Sequence, residues 1–150
     1  EIRMASRSLL DLNPETRKRA EMFVAKCATF GIEVLIYCTY RSEKEQEVLY
    51  AQGRTTTGPN PRRSKPMGNV VTNARGGQSW HNFRAAFDFV PLVDGKAAWN
   101  DKGLYATCGK IAESLDLEWA GRWTGSLRET AHCQFRDGLS LAQAVAKWRV

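Results

Sequence analysis

Apolar residues recur along this chain with two different periods. Ala20, Phe23, Val24, Cys27 and Phe30 fall at helical spacing, which argues for an amphipathic helix. Asn13 followed by Pro14 is a start signal for it, and Gly31 a stop. Ile32 to Thr39 is a short apolar run with β-branched residues, so a strand is expected next. Ser42 and Glu45 form a capping box before a second helix, which carries Val48, Leu49 and Ala51 and ends at Gly53. Thr55 to Gln78 is rich in Gly, Pro, Asn and Arg and shows little periodicity. It reads as a long loop, and long loops inside compact domains are usually functional.

The second half mixes the two periods more finely. Ala85 to Val90 reads as a strand, and Pro91 to Lys96 as a turn with Asp94-Gly95 at its tip. Asn100 is expected to cap a helix to about Leu115, with Leu104, Cys108, Ile111 and Leu115 on one face. Leu117 to Trp119 and Ala131 to Phe135 read as short strands. Ser140 caps a last helix, Leu141 to Trp148. Helices and short strands in this order predict an α+β fold: a small, mostly antiparallel sheet flanked by helices.

With 150 residues, one domain spanning 1–150 is the simplest organisation, with no separate second module. The net charge of +6 favours polyanionic partners. No compact run of like charges marks a nucleic-acid tail. The four cysteines, Cys27, Cys38, Cys108 and Cys133, include no C-x-x-C pair, which argues against a thiolate zinc ribbon; reduced thiols are expected, with Cys27, Cys38 and Cys108 in the core. The polar start lacks a secretory apolar region, and no segment has the length of a membrane helix. Cytoplasmic synthesis is therefore expected.

The two histidines are the sharpest signal. His81 precedes Asp88 by seven positions, and His132 follows Glu129 by three. Two imidazoles and one carboxylate make a three-ligand zinc site with an open fourth position. The spacing places His81 in a loop leading to the strand that carries Asp88, and lets Glu129 meet His132 across a turn. His81, Asp88 and His132 are the expected ligands of one zinc ion per chain. Glu129 is then free to act as a general base.

Ser79-x-His81, Ala86-x-Asp88 and Glu129-x-x-His132 resemble the zinc peptidases that cleave peptidoglycan. These include D-Ala-D-Ala carboxypeptidases and dipeptidases, and the L-alanyl-D-glutamate endopeptidases that serve as phage endolysins. Their signature is S-x-H-x-x-G-x-A-x-D followed by D or E-x-x-H. Thr39-Tyr40-Arg41-Ser42, the segment Gln46 to Thr55, and Leu117-Glu118-Trp119 with Trp123 resemble the endolysin branch. The resemblance implies a hedgehog/D-Ala-D-Ala peptidase-like fold. It implies that Arg41 holds a carboxylate or carbonyl of the stem peptide and that Ser79 supports the site. Trp119 and Trp123 flank the segment before Glu129 and are read as either groove or core aromatics, with Trp119 taken as a substrate contact. The implied function is hydrolysis of the L-Ala–D-Glu bond by a monomeric endolysin, held in the host cytoplasm until lysis and drawn to anionic envelope polymer by its charge. The alternatives are a D,D-carboxypeptidase or dipeptidase, and a non-catalytic basic domain binding wall or nucleic acid. Arg84 stands where the family has glycine, and Glu129 where the endopeptidase branch often has aspartate.

Overall fold

The computed structural model of the protein describes residues 5–54 and 71–148. The expected loop lies partly outside these, at residues 55–70.

Helix α1 (Pro14–Thr29) starts where Asn13 caps the Thr16 N–H and Pro14 takes the first turn. It ends at Gly31, whose φ of +76° suits a residue without Cβ. Strand β1 (Glu33–Cys38) follows. Helix α2 (Glu43–Ala51) carries the expected capping box: Ser42 Oγ accepts from Glu45 N–H, and the Glu45 carboxylate accepts from Ser42 N–H. Strand β2 (Ala86–Val93) is longer than its pattern suggested. It runs through Pro91, which keeps strand pairing with Val34 of β1 and accepts from Ala98 N–H through its carbonyl. The turn therefore shrinks to Asp94-Gly95, both at positive φ, before β3 (Lys96–Ala97). Helix α3 (Lys102–Glu113) is capped by Asp101 rather than Asn100, its carboxylate accepting from Leu104 N–H. Strands β4 (Glu118–Trp119) and β5 (His132–Gln134) and helix α4 (Leu141–Trp148) complete the described elements.

The strands lie in the order β1-β2-β5-β4, with β3 on β2, and every pairing is antiparallel. The fold is thus the expected α+β arrangement. Helices α1 and α3 cover one face. Phe23 of α1 meets Phe87 and Phe89 of β2 at ring distances of 5.5 and 5.0 Å, and Phe89 meets Tyr105 of α3 at 5.4 Å. Phe30, read as part of this stripe, is exposed instead and forms the C-cap of the helix.

Side chains alternate along a strand, so burying Phe87 and Phe89 against the helices turns Asp88 to the other face. His132 pairs with Asp88 in register and shares that open face, while Cys133 points into the core. A second cluster holds the approach to β2. Phe83 and Ala85 are buried against Ala144 of α4, and Trp80 packs on Trp148 at 6.3 Å.

Candidate metal centre

His81 lies in a one-turn 3-10 helix, Trp80–Phe83, that leads into β2. Ser79 caps this turn, its hydroxyl accepting from His81 N–H. Asn82 ties the turn to its surroundings: its Oδ1 accepts from Gly77 and Ser79 N–H, and its Nδ2 donates to the Arg41 carbonyl. Asp88 follows on β2 and His132 opens β5. Glu129 sits in the turn before β5, its carbonyl accepting from His132 N–H.

The two imidazoles converge on one oxygen. His81 Nε2 is 3.2 Å from Asp88 Oδ1, and His132 Nδ1 is 3.1 Å from the same atom. Each ring is fixed by its far nitrogen. His81 Nδ1 donates to the Thr39 carbonyl at 2.8 Å, and His132 Nε2 donates to Gln134 Oε1 at 2.8 Å. These partners assign the tautomers. Both inward nitrogens are then left with lone pairs facing a carboxylate. Three acceptors crowded together without a proton need a cation among them. Ligands about 2.0–2.1 Å from a tetrahedral zinc stand about 3.3 Å apart, close to the two imidazole–carboxylate separations of 3.2 and 3.1 Å. The donor set fits zinc, and hydrogen bonds from the far imidazole nitrogens are the usual support of such ligands.

The electrostatics agree. Burial opposes the charged form of His81, but the charge and hydrogen bond of Asp88 outweigh it and lift the imidazole to about 10. Burial likewise opposes the Asp88 carboxylate, and the facing histidines more than reverse this, holding it far below the usual range.

Cys38 also borders the centre. Cys38, His81 and Asp88 offer donor atoms within 4.8 Å of one another. The Cys38 sulfur, however, lies 3.7 Å from His81 Nδ1, the nitrogen already given to Thr39, and takes an Arg41 N–H at 3.4 Å. His132 Nδ1 lies 3.1 Å from Asp88 Oδ1, so His132 and Cys38 are the two candidates for a third position beside His81 and Asp88. Glu129 Oε2 is 3.9 Å from His132 Nδ1, and its side chain is 57% exposed. It reaches the centre from the solvent side without displacing Asp88.

These residues line an open cleft of about 1130 Å³, larger than most small-molecule pockets. Arg41 and Ser79 line it too. The Arg41 guanidinium is held by Gln46, which is fully buried and also donates to the Ala74 carbonyl. Trp119, expected as a substrate contact, is not in the cleft. It is 6% exposed, donates to the Thr130 carbonyl and lies against Gly109 and Gly121, where an added Cβ would come within 2.2 and 2.1 Å of its ring. Trp123 takes the groove position, 6.0 Å from the His132 ring. Sequence reasoning also passed over Gln134, although its place two residues after His132 puts it on the same strand face.

A candidate metal centre in an open cleft on an antiparallel sheet is the arrangement expected of the metallopeptidases that the motifs resemble. Residues 72–135 match a family described as D-alanyl-D-alanine carboxypeptidase. The chain is 38% identical over 122 residues to the peptidoglycan L-alanyl-D-glutamate endopeptidase CwlK of Bacillus subtilis, covering 75% of this chain and 67% of that protein. It is 31% identical over 137 residues to the L-alanyl-D-glutamate peptidase of Listeria phage A118, covering 87% of this chain and 41% of the phage protein. Its fold resembles that of the vancomycin resistance D,D-pentapeptidase VanY in complex with Zn(II), with a TM-score of 0.60 at 12% identity over 93% of this chain and 79% of the other. The chain belongs to the D-Ala-D-Ala carboxypeptidase and L-alanyl-D-glutamate endopeptidase family of zinc metallopeptidases.

Proposed function

We propose that this protein hydrolyses the L-Ala–D-Glu bond of the peptidoglycan stem peptide, as a phage-type endolysin with one zinc ion per chain. The observation that carries this reading is the convergence of His81 and His132 on Asp88 Oδ1, with Glu129 at the open side. The names of the two relatives supply the bond. The enzyme acts as a monomer, stays in the host cytoplasm until lysis, and is drawn to anionic envelope polymer by its positive charge.

His81, Asp88 and His132 are the ligands. When bound, zinc supplies Lewis acidity and brings the pKa of water to about 7. Glu129 takes a proton from the attacking water and delivers it to the departing amine. Its exposure lets it swing between these two positions. Arg41, braced by Gln46, holds a carboxylate or carbonyl of the stem. Ser79 fixes the turn that aims His81.

Defined muropeptides test the bond. Digestion should expose new N-terminal D-Glu. Glutamate at position 129 favours one second reading, a D,D-carboxypeptidase. Release of free D-Ala without new D-Glu termini would establish that reading instead.

A further inference from the structure

One cleft residue is used neither as ligand nor as base. Ile36 of β1 pairs with Phe89 and Cys38 with Asp88, so Tyr37 is the extra residue of a β-bulge. A bulge interrupts the alternation of a strand and re-aims a side chain, and such devices recur beside active sites. Here it sets Tyr37 in the cleft with His81, Asp88 and Glu129. The strand order puts Tyr37 on one side of Asp88 and the Glu129 turn, which leads into β5, on the other.

The Tyr37 ring packs edge-on against Trp99 at 5.2 Å and 72°, which fixes its direction. Its hydroxyl has no hydrogen-bond partner among the described residues. A half-buried phenol normally finds one. Burial, then the negative charge of Asp88 and more weakly that of Glu129, keep this phenol protonated far above the usual range. It is a donor in the cleft lining it shares with His81 and Asp88.

We propose that the Tyr37 hydroxyl donates a hydrogen bond to the scissile carbonyl oxygen as that oxygen becomes an oxyanion. The inference rests on the peptidase reading above. Water oxygen bonds to the carbonyl carbon, and the carbonyl oxygen takes the negative charge. The C–N bond then breaks, and the amine receives the proton that Glu129 took from water. Tyr37 keeps its own proton throughout. Its effect grows with the charge on the oxygen, so it favours the transition state over the bound substrate.

Tyr37→Phe removes the hydroxyl and keeps the ring on Trp99. The substrate is whichever stem peptide the wild type turns over, so an error in the assigned bond shows in the wild-type product and leaves this comparison intact. In the variant kcat should fall on the order of 10², with KM within about twofold. Zinc content and melting temperature should match wild type. A phosphinate analogue of the same peptide carries the oxyanion permanently, so its affinity should fall by the same factor as kcat/KM. Wild-type kcat, a rise in KM alone, or unchanged phosphinate affinity would each overturn the proposal.

Discussion

His81 and His132 reach the same oxygen of Asp88 from supports built in different ways. His81 is 3% exposed and held by a backbone carbonyl, and its turn is clamped by the aromatic cluster against α4. His132 is held by a side chain, Gln134, and adjoins the turn that carries Glu129 and Leu127, both exposed. The first support can be altered only by moving the chain. The second can be altered by a single substitution. The difference suits the two roles proposed: one limb would fix the metal's place, while the other sits beside the proposed base Glu129.

The largest effect separates the two possible ligand sets. His81→Ala, Asp88→Ala and His132→Ala should each abolish both bound zinc and turnover. Cys38→Ala should keep stoichiometric zinc, measured by atomic absorption alongside circular dichroism to confirm folding. Zinc retained in His132→Ala but lost in Cys38→Ala would move the centre to Cys38, His81 and Asp88.

The next effect concerns chemistry on the exposed side. Glu129→Gln keeps size and hydrogen-bonding capacity but removes the proton acceptor. Its kcat should fall by on the order of 10² to 10⁴, with zinc content unchanged. Near-normal turnover would remove Glu129 from the mechanism and make Glu118 the next candidate. That role sits poorly with the structure, since Glu118 is paired with Arg136.

The comparison also separates what the sequence made legible from what it did not. The candidate ligands and base stood out because zinc chemistry restricts residue type, and two histidines leave few combinations; the fold brings His81, Asp88 and His132 together. Local signals were equally readable: Asn13-Pro14 and the Ser42–Glu45 box lie where their hydrogen bonds form. Trp119 was not, because its fate depends on Gly109, ten residues away on α3 and recognisable as a ring-sized gap only after packing. Gln134 and Tyr37 were hidden for a related reason. A glutamine becomes a support, and a tyrosine a bulge residue, only through pairing with another strand.

A smaller effect tests the side-chain support directly. Gln134→Ala frees the far nitrogen of His132 while leaving all three proposed ligands in place. Losing such a support typically weakens metal affinity by about 10–100-fold. Competition with a chelator of known affinity should show a loss in that range. An unchanged zinc affinity would mean that strand pairing alone orients His132, and the contrast between the limbs would disappear.

The smallest effect lies on the rigid limb, at the position where the family has glycine. Arg84 follows the His81 turn with φ +61° and ψ +29°, a left-handed conformation that glycine adopts freely. In other residues it costs about 1–2 kcal/mol. The side chain offsets part of this. Its guanidinium lies 3.9 Å over the Tyr40 ring and donates to the Asp11 carbonyl at 2.9 Å. It runs away from the cleft, so the departure from the family pattern leaves the metal centre clear. Arg84→Gly would relieve the strain but lose a stacking contact of about 0.5–1 kcal/mol and a hydrogen bond of about 1 kcal/mol. It would also add freedom to the unfolded chain. These terms nearly cancel, so thermal melting should shift by no more than about 2–4 °C. Zinc affinity and kcat should stay at wild-type values. A fall in zinc affinity without loss of stability would mean that Arg84 tightens the His81 turn, and that this chain uses the strained residue to hold its more rigid ligand.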